Sequence, residues 1–382
     1  MISFLGGISF INNSGFAGTI DSNNRTAYLI FGIAAYIVLS AMRHTKSTSK
    51  RKAVFILAMV SAFWIRSYIA GYGIDGFRFL MYFVSIFVIS KLCFDEVNLV
   101  YMCLIYGVLT SVILFSSNFG SILKGWNPNS IAIQSFQMLS VFCIGFNTDF
   151  KSIRLNNGVW AARFRMLIFW GLILYATSLM ESLDCRSASL SCIITAVLML
   201  KSEWAEGVLR NKRLLFILVI APCIIAFTVI YLSKMPIADT LNAWSIQHFR
   251  KPIFNGRDTI WEYGIQRFFY KNPLFGRGNV NYGNWHNSAV GCLASFGLLG
   301  YCLYTGVFYN ILAKASNYLN DVFVRKGVIV FLIVNFQQSF ENTICQSKLM
   351  MMHPYLILGM ILGRVVYLEY ESKYNNTGIQ YR

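Results

Sequence analysis

The chain has 382 residues, 56% of them hydrophobic and only 13% charged, and its mean hydropathy is +0.54. That balance excludes an ordinary water-soluble globular protein. The net charge of +17 would suit a nucleic-acid binder, but the Lys and Arg residues lie mostly between apolar runs, where membrane topology accounts for them, and no nucleic-acid partner is expected.

Apolar runs of membrane-spanning length recur from one end to the other, without the two-residue alternation of a membrane β-barrel. In lipid each backbone group must be hydrogen-bonded within its own segment. The expected fold is therefore all-α: one integral membrane domain over residues 1–382, with about 11–12 transmembrane helices. The nine cysteines show no CxxC or Cys/His spacing, so no metal site or cofactor is expected, and their reading is as small packing residues. Cys185 and Cys192 are seven residues apart on one helix, about 10 Å, too far to bridge.

In chain order, residues 1–11 are apolar but short, and the sequence leaves open whether they form another membrane helix; no cleavable signal peptide is evident. Spans are expected at 26–42, 53–70, 76–92, 97–117, 130–146, 166–180, 187–200, 214–232, 288–313, 327–345 and 349–368. With these spans, six basic segments fall on one side: Arg43 to Lys52, Lys151 to Arg165, Lys201 to Arg213, Lys314, then Arg325 and Lys326, and a C-terminal tail with Arg364, Lys373 and Arg382. The positive-inside rule makes that side cytoplasmic. Arg66 and Arg78, near the opposite ends of their helices, read as anchors or lipid-phosphate contacts.

The long outward loop, residues 233–287, breaks the charge rule. It carries Lys234, Arg250, Lys251, Arg257, Arg267, Lys271 and Arg277 against Asp239, Asp258 and Glu262. Attraction to anionic headgroups explains some of this charge; a site for a phosphate-bearing substrate is the sharper reading. Within the loop, Ile260, Trp261, Ile265, Phe268 and Phe269 recur at helical spacing, between Asn255-Gly256 and Asn272-Pro273. They predict an amphipathic helix whose aromatic face rests on the membrane or the bundle. The glycine-rich Leu274 to Gly283 stretch allows close backbone approach to a ligand.

His286 lies just before the helix starting near Ser288, with Asn287 as a plausible N-cap. A helix N-terminus and neighbouring arginines both favour a neutral imidazole, which can take a proton or orient a hydroxyl; an interfacial capping histidine is the bland alternative. His44, His248 and His353 carry only that bland reading. Arg186, beside Glu181 and Asp184 in a short outward turn, is either a snorkelling anchor or a phosphate ligand. Glu341 stands at an outward helix end, where ionisable groups pair or line a cavity.

These residues together carry a resemblance. CRSAS with Arg186, GRDTIW with Arg257, the NPLFGRG turn with Arg277, and HNSAVGCLASFGLLG with His286 occur in this order, with a long outward loop before the histidine. The chain resembles the O-antigen ligase and polymerase superfamily, bacterial membrane glycosyltransferases acting on undecaprenyl-diphosphate-linked glycans. The motif-bearing part runs from Leu183 to Gly300, and FEN around Glu341 is similar to an acidic position in the family's last outward loop. Cys185 departs from the serine common before the arginine.

The resemblance implies a fold of the lipid-linked-sugar glycosyltransferase type and an inverting, metal-independent transfer with no cofactor. His286 is the implied catalytic residue; Arg186, Arg257 and Arg277 are the implied diphosphate ligands, with Glu341, Arg267 and Asn287 as further candidates. The implied partners are an undecaprenyl-diphosphate-linked glycan donor, a lipid-linked repeat or lipid A-core acceptor, membrane lipids and a chain-length regulator. The implied location is the bacterial inner membrane, with the site facing the periplasm. NPNSIA at Asn127 to Ala132 is similar to polymerase members, so polymerisation leads over ligation to lipid A-core. A transporter for anionic lipids is a third reading, disfavoured because no paired interrupted helices are evident.

Overall fold

A computed structural model describes residues 73–118, 128–146, 148, 159–277, 285–341 and 352–377, with isolated positions between 56 and 68. The expected helix at 26–42, much of that at 53–70, the 1–11 stretch and Arg66 lie outside the described residues, as do the basic clusters at 43–52 and 151–154. Among the described residues all regular structure is helical. The long helices are α1 (Gly73–Leu92), α2 (Glu96–Asn118), α3 (Pro128–Gly145), α4 (Val159–Ser182) and α5 (Arg186–Leu200). They continue, after the short α6 (Glu206–Arg210), with α7 (Lys212–Leu232), α8 (Ile237–Phe249), α9 (Arg257–Gly264), α10 (Ser288–Ala315), α11 (Val322–Gln337) and α12 (His353–Thr377). Helices stand where most of the predicted spans were placed, with ends that differ by up to nine residues. Among the described residues four helices are long and apolar enough to cross a membrane, against the 11–12 expected for the whole chain, and they include Lys212–Leu232 at mean hydropathy 2.8.

The outer surface of the bundle fits a lipid solvent. On α2, Leu104, Val108, Val112 and Phe115 form one exposed stripe, and on α4 Leu167 is 70% exposed. Exposed apolar stripes of this kind mark a surface that faces membrane or another protein. At the centre stands α11, which packs against α3, α5, α7, α10 and α12 and buries nearly every side chain. Close packing elsewhere comes from small residues: Gly359 and Gly363, four apart on α12, bring its backbone against Ile89 and Ser90 of α1.

The described basic segments meet at one end of the bundle, but two of their members are not headgroup anchors. Positive-inside counting takes no account of burial, and here burial decides. Arg364 lies within α12, where its guanidinium bonds Glu96 at 2.5 Å and Asp321 at 2.9 Å, all three side chains being largely buried. Lys326 is buried and donates to the Phe146 carbonyl at 2.9 Å, closing the C-terminal end of α3. Both act as interhelical ties.

Pro222 sits inside α7. A proline there has no N–H for the carbonyl four residues earlier and pushes that turn open. The orphaned Leu218 and Val219 carbonyls each accept from the Asn335 amide of α11 at 3.0 Å, and the Pro222 carbonyl accepts from Asn287 at 2.9 Å. Replacing Asn335 by Leu should therefore lower stability by about 1–3 kcal/mol. Adding Pro222→Ala, which restores the N–H, should recover part of that loss; thermal unfolding of the single and double variants in detergent checks both.

α10 is not the single continuous helix its apolar sequence predicts. Gly297 has φ 65° and ψ −164°, a region open essentially to glycine alone, and it divides the helix in two. The NPLFGRG segment fills the break. Pro273 and Leu274 carbonyls accept from the Leu298 and Leu299 N–H groups at 2.7 and 3.2 Å, and the Arg277 N–H donates to the Ala294 carbonyl at 3.0 Å. Gly276, at φ 62°, lies so close that a Cβ would stand 2.4 Å from the Phe296 nitrogen. Residues 273–277 approach the α10 backbone closely, and the rest of the Leu274 to Gly283 segment, where close approach to a ligand was expected, lies outside the described residues.

Candidate active site

Two short helices border the site. α5 and α11, at 15 and 16 residues, are about 22–24 Å long and fall short of the roughly 30 Å core of a bilayer. α11 was expected to run to 345 but stops at Gln337, and a turn over residues 338–340 follows. That early stop exposes a short QSFE edge on which the HNS motif docks. The Ser288 N–H donates to the Gln338 carbonyl at 3.0 Å, and the Ser288 hydroxyl donates to the Gln338 side chain at 2.6 Å. Asn287 donates to the Ser339 carbonyl at 3.0 Å, and the Nδ1 of His286 meets Glu341 at 3.2 Å.

Asn287 also caps α10 as expected: its side-chain oxygen accepts from the Ala289 and Val290 N–H groups at 2.8 and 3.0 Å. Fully buried and bonded on every side, it positions its neighbour. His286 itself is held at φ 49°, an αL conformation that costs about 1–2 kcal/mol outside glycine. Its side chain is 29% exposed.

Glu341 is the group at which the site converges. It is 7% exposed and lies between His286 at 3.2 Å and the Arg257 guanidinium at 3.6 Å. Arg257 sits at the start of α9 and over the Phe340 ring. The expectation for His286 considered positive neighbours only; a carboxylate now faces it directly. When Nδ1–H donates to Glu341, the tautomer is fixed and Nε2 is left as the acceptor. The same carboxylate partners Arg257, a guanidinium shaped for bidentate binding of phosphate.

The α9 helix is the predicted amphipathic one, extended by a π-turn over Ile265–Phe269. Its aromatic face packs on the bundle: Trp261 is buried and its indole donates to the Trp285 carbonyl at 2.6 Å. Gly264 permits this contact, since a Cβ would lie 2.8 Å from the Trp285 ring. Lys234, just beyond α7, pairs with Glu262 at 2.6 Å and holds the other side of the arm.

Arg186 is the first residue of α5, which begins at Cys185 without a side-chain cap. The Cys185 thiol is pushed up by burial. Asp184, at φ 55°, pairs with Lys251 and stands 3.9 Å from the Arg186 guanidinium. The Lys251 hydrogen bond holds the Asp184 carboxyl below its usual range. Arg267 and Arg277 take other positions. The Arg267 guanidinium lies over the Tyr263 ring at 5.5 Å, and that of Arg277 over Phe268 at 5.2 Å. The Arg277 backbone contacts Ala294, about 10 Å along α10 from Asn287 at 1.5 Å per residue.

The structure thus brings together His286, Arg257, Glu341 and Asn287, places the Arg186 guanidinium near Asp184, and stacks Arg267 and Arg277 on rings of the arm. Ser288, Gln338 and Lys251 were not singled out for the site from the sequence. Ser288 and Gln338 are ordinary helix-end residues, and Lys251 was one loop cation among seven. Among the described residues no three His, Cys, Asp or Glu side chains converge in a way that would hold a metal ion. Chemically, the cluster can bind an anionic group at its guanidinium and accept a proton at its imidazole within a few ångströms. No protein-family model and no curated protein matches the chain.

Proposed function

We propose that this protein is a membrane glycosyltransferase that polymerises a surface polysaccharide. It transfers a glycan from a polyprenyl-diphosphate carrier onto a lipid-linked repeat unit, on the non-cytoplasmic side of a bacterial inner membrane. The observation that carries the reading is the convergence of His286, Glu341 and Arg257.

In this reading the donor diphosphate lies on Arg257 and Arg186, displacing Glu341 from Arg257 alone. Guanidinium groups aimed at the leaving oxygen stabilise the charge that grows there. Nε2 of His286 takes the acceptor hydroxyl proton as that oxygen bonds the anomeric carbon. The bond from this carbon to the diphosphate oxygen breaks with its electron pair leaving on the carrier, and the centre inverts once. Glu341 holds the imidazole in orientation and balances the charge it gains. Helices α5 and α11, too short to reach the far surface, leave the site at a depth that a carrier headgroup can meet.

A deletion strain tests the assignment and its acceptor. Lipopolysaccharide carrying a single repeat on its core is the expected result. Bare core with accumulated lipid-linked polymer would make the protein the ligase, and unchanged polymer would remove both readings.

A further inference from the structure

α8, thirteen residues in the loop between α7 and α9, has its polarity reversed relative to a helix on a soluble domain. The face turned toward the protein is small and polar. Ala238 and Ser245 are buried, the Ser245 hydroxyl donates to the Lys251 carbonyl at 2.7 Å, and the Asn242 side-chain oxygen accepts from the Ile253 N–H at 3.1 Å. A second face, with Asp239, Thr240 and Gln247, is exposed and largely polar, and Ile246, 50% exposed, stands between it and the buried face. Between them runs a stripe at four-, three- and four-residue spacing: Ile237, Leu241, Trp244 and His248. Ile237 is 53% and Trp244 49% exposed, and the Trp244 ring packs on His248 at 4.7 Å.

Both ends of α8 are pinned at the ends of apolar helices. It begins five residues after α7 ends at Leu232, and Lys251, just past its C-terminus, pairs with Asp184 between α4 and α5. About 20 Å long at 1.5 Å per residue, it bridges these two points and so runs along the boundary. Arg250, exposed at the C-cap, adds positive charge there, whereas Lys234 and Lys251 of the same loop are paired with Glu262 and Asp184.

We infer that α8 is an interfacial helix whose Ile237–Leu241–Trp244 stripe is seated in an anionic lipid surface, with Arg250 at headgroup level. Aliphatic side chains beside a tryptophan, flanked by basic residues, are the composition that an acyl–headgroup boundary binds. Seated there, the helix fixes the level of the arm that carries Arg257. The inference rests on α4 and α7 crossing the membrane and is independent of the chemistry at His286.

The test is tryptophan emission of the full-length protein in vesicles of phosphatidylethanolamine and phosphatidylglycerol. Lipids brominated near the glycerol end of the acyl chain are the quencher, compared between wild type and Trp244→Phe. The remaining tryptophans, Trp170 on α4 among them, report membrane embedding in the variant itself. The expected result is that the Trp244 difference emission is quenched strongly by bromolipid and weakly by aqueous acrylamide. Quenching by acrylamide alone would place the stripe in water. Insensitivity to both quenchers would bury it against a second copy of the chain. Either result overturns the inference, whereas loss of bromolipid quenching in the variant as well would overturn the membrane reading beneath it.

Discussion

Replacing His286 by alanine is expected to lower the rate of glycan transfer by about 10²–10⁴-fold, the range that general-base assistance supplies, while the protein remains folded in the membrane. The separation follows from how the HNS motif divides its work. Asn287 and Ser288 carry the bonds to α7, α10 and the QSFE edge, whereas His286 bonds Glu341 through a half-buried side chain. Its loss therefore removes a proton acceptor but leaves the helix cap and the packing in place. Purified variant and wild type compared for turnover and for elution from a sizing column check both halves. Wild-type turnover in the variant would reduce His286 to a residue that merely balances Glu341.

The second large effect is structural. Gly297→Val should destabilise the protein by more than about 4 kcal/mol, the range reserved for backbone strain combined with a core clash. At φ 65° a side chain is strained whatever the space, and here there is none: a Cβ would stand 2.5 Å from the Leu274 carbonyl. Either the break in α10 closes and expels residues 273–277, or the helix end carrying His286 shifts. Gly306→Ala on the same helix is the control, because nothing lies within 4 Å of its Cβ position, and a helical Gly→Ala change stabilises by up to about 1 kcal/mol. Thermal unfolding in detergent should separate the two widely. Equal midpoints would show that the break is incidental.

Much of the helical layout was legible because the signals are local and strong. Apolar runs bounded by charges set the spans, Asn287 before an apolar run marks a cap, and the spacing of Trp261, Ile265 and Phe268 places α9 with its inward face. What escaped depends on contacts distant in the chain. Gly297 lies in an apolar run with no breaker beside it, and its conformation is set by residues 273–277, some twenty residues earlier. α11 was extended to 345 because no glycine or proline lies between Gln337 and that point, but the tertiary pairing of Ser288 with Gln338 ends it. Glu341 was a candidate whose partners were unknown, since a carboxylate at a helix end declares its sign and not its neighbours. Arg364 and Lys326 were counted as anchors because loop-charge rules read position along the chain and not burial.

The most direct measurement uses purified protein in vesicles with a polyprenyl-diphosphate-linked repeat unit as the sole glycan source. The arrangement of His286, Glu341 and Arg257 predicts a ladder of longer lipid-linked glycans, with one polyprenyl diphosphate released per bond formed. It also predicts that Arg257→Lys loses most of this activity, because an ammonium cannot reproduce the planar two-point contact. Donor that binds yet releases no polyprenyl diphosphate, with wild type and Arg257→Lys indistinguishable, would contradict it.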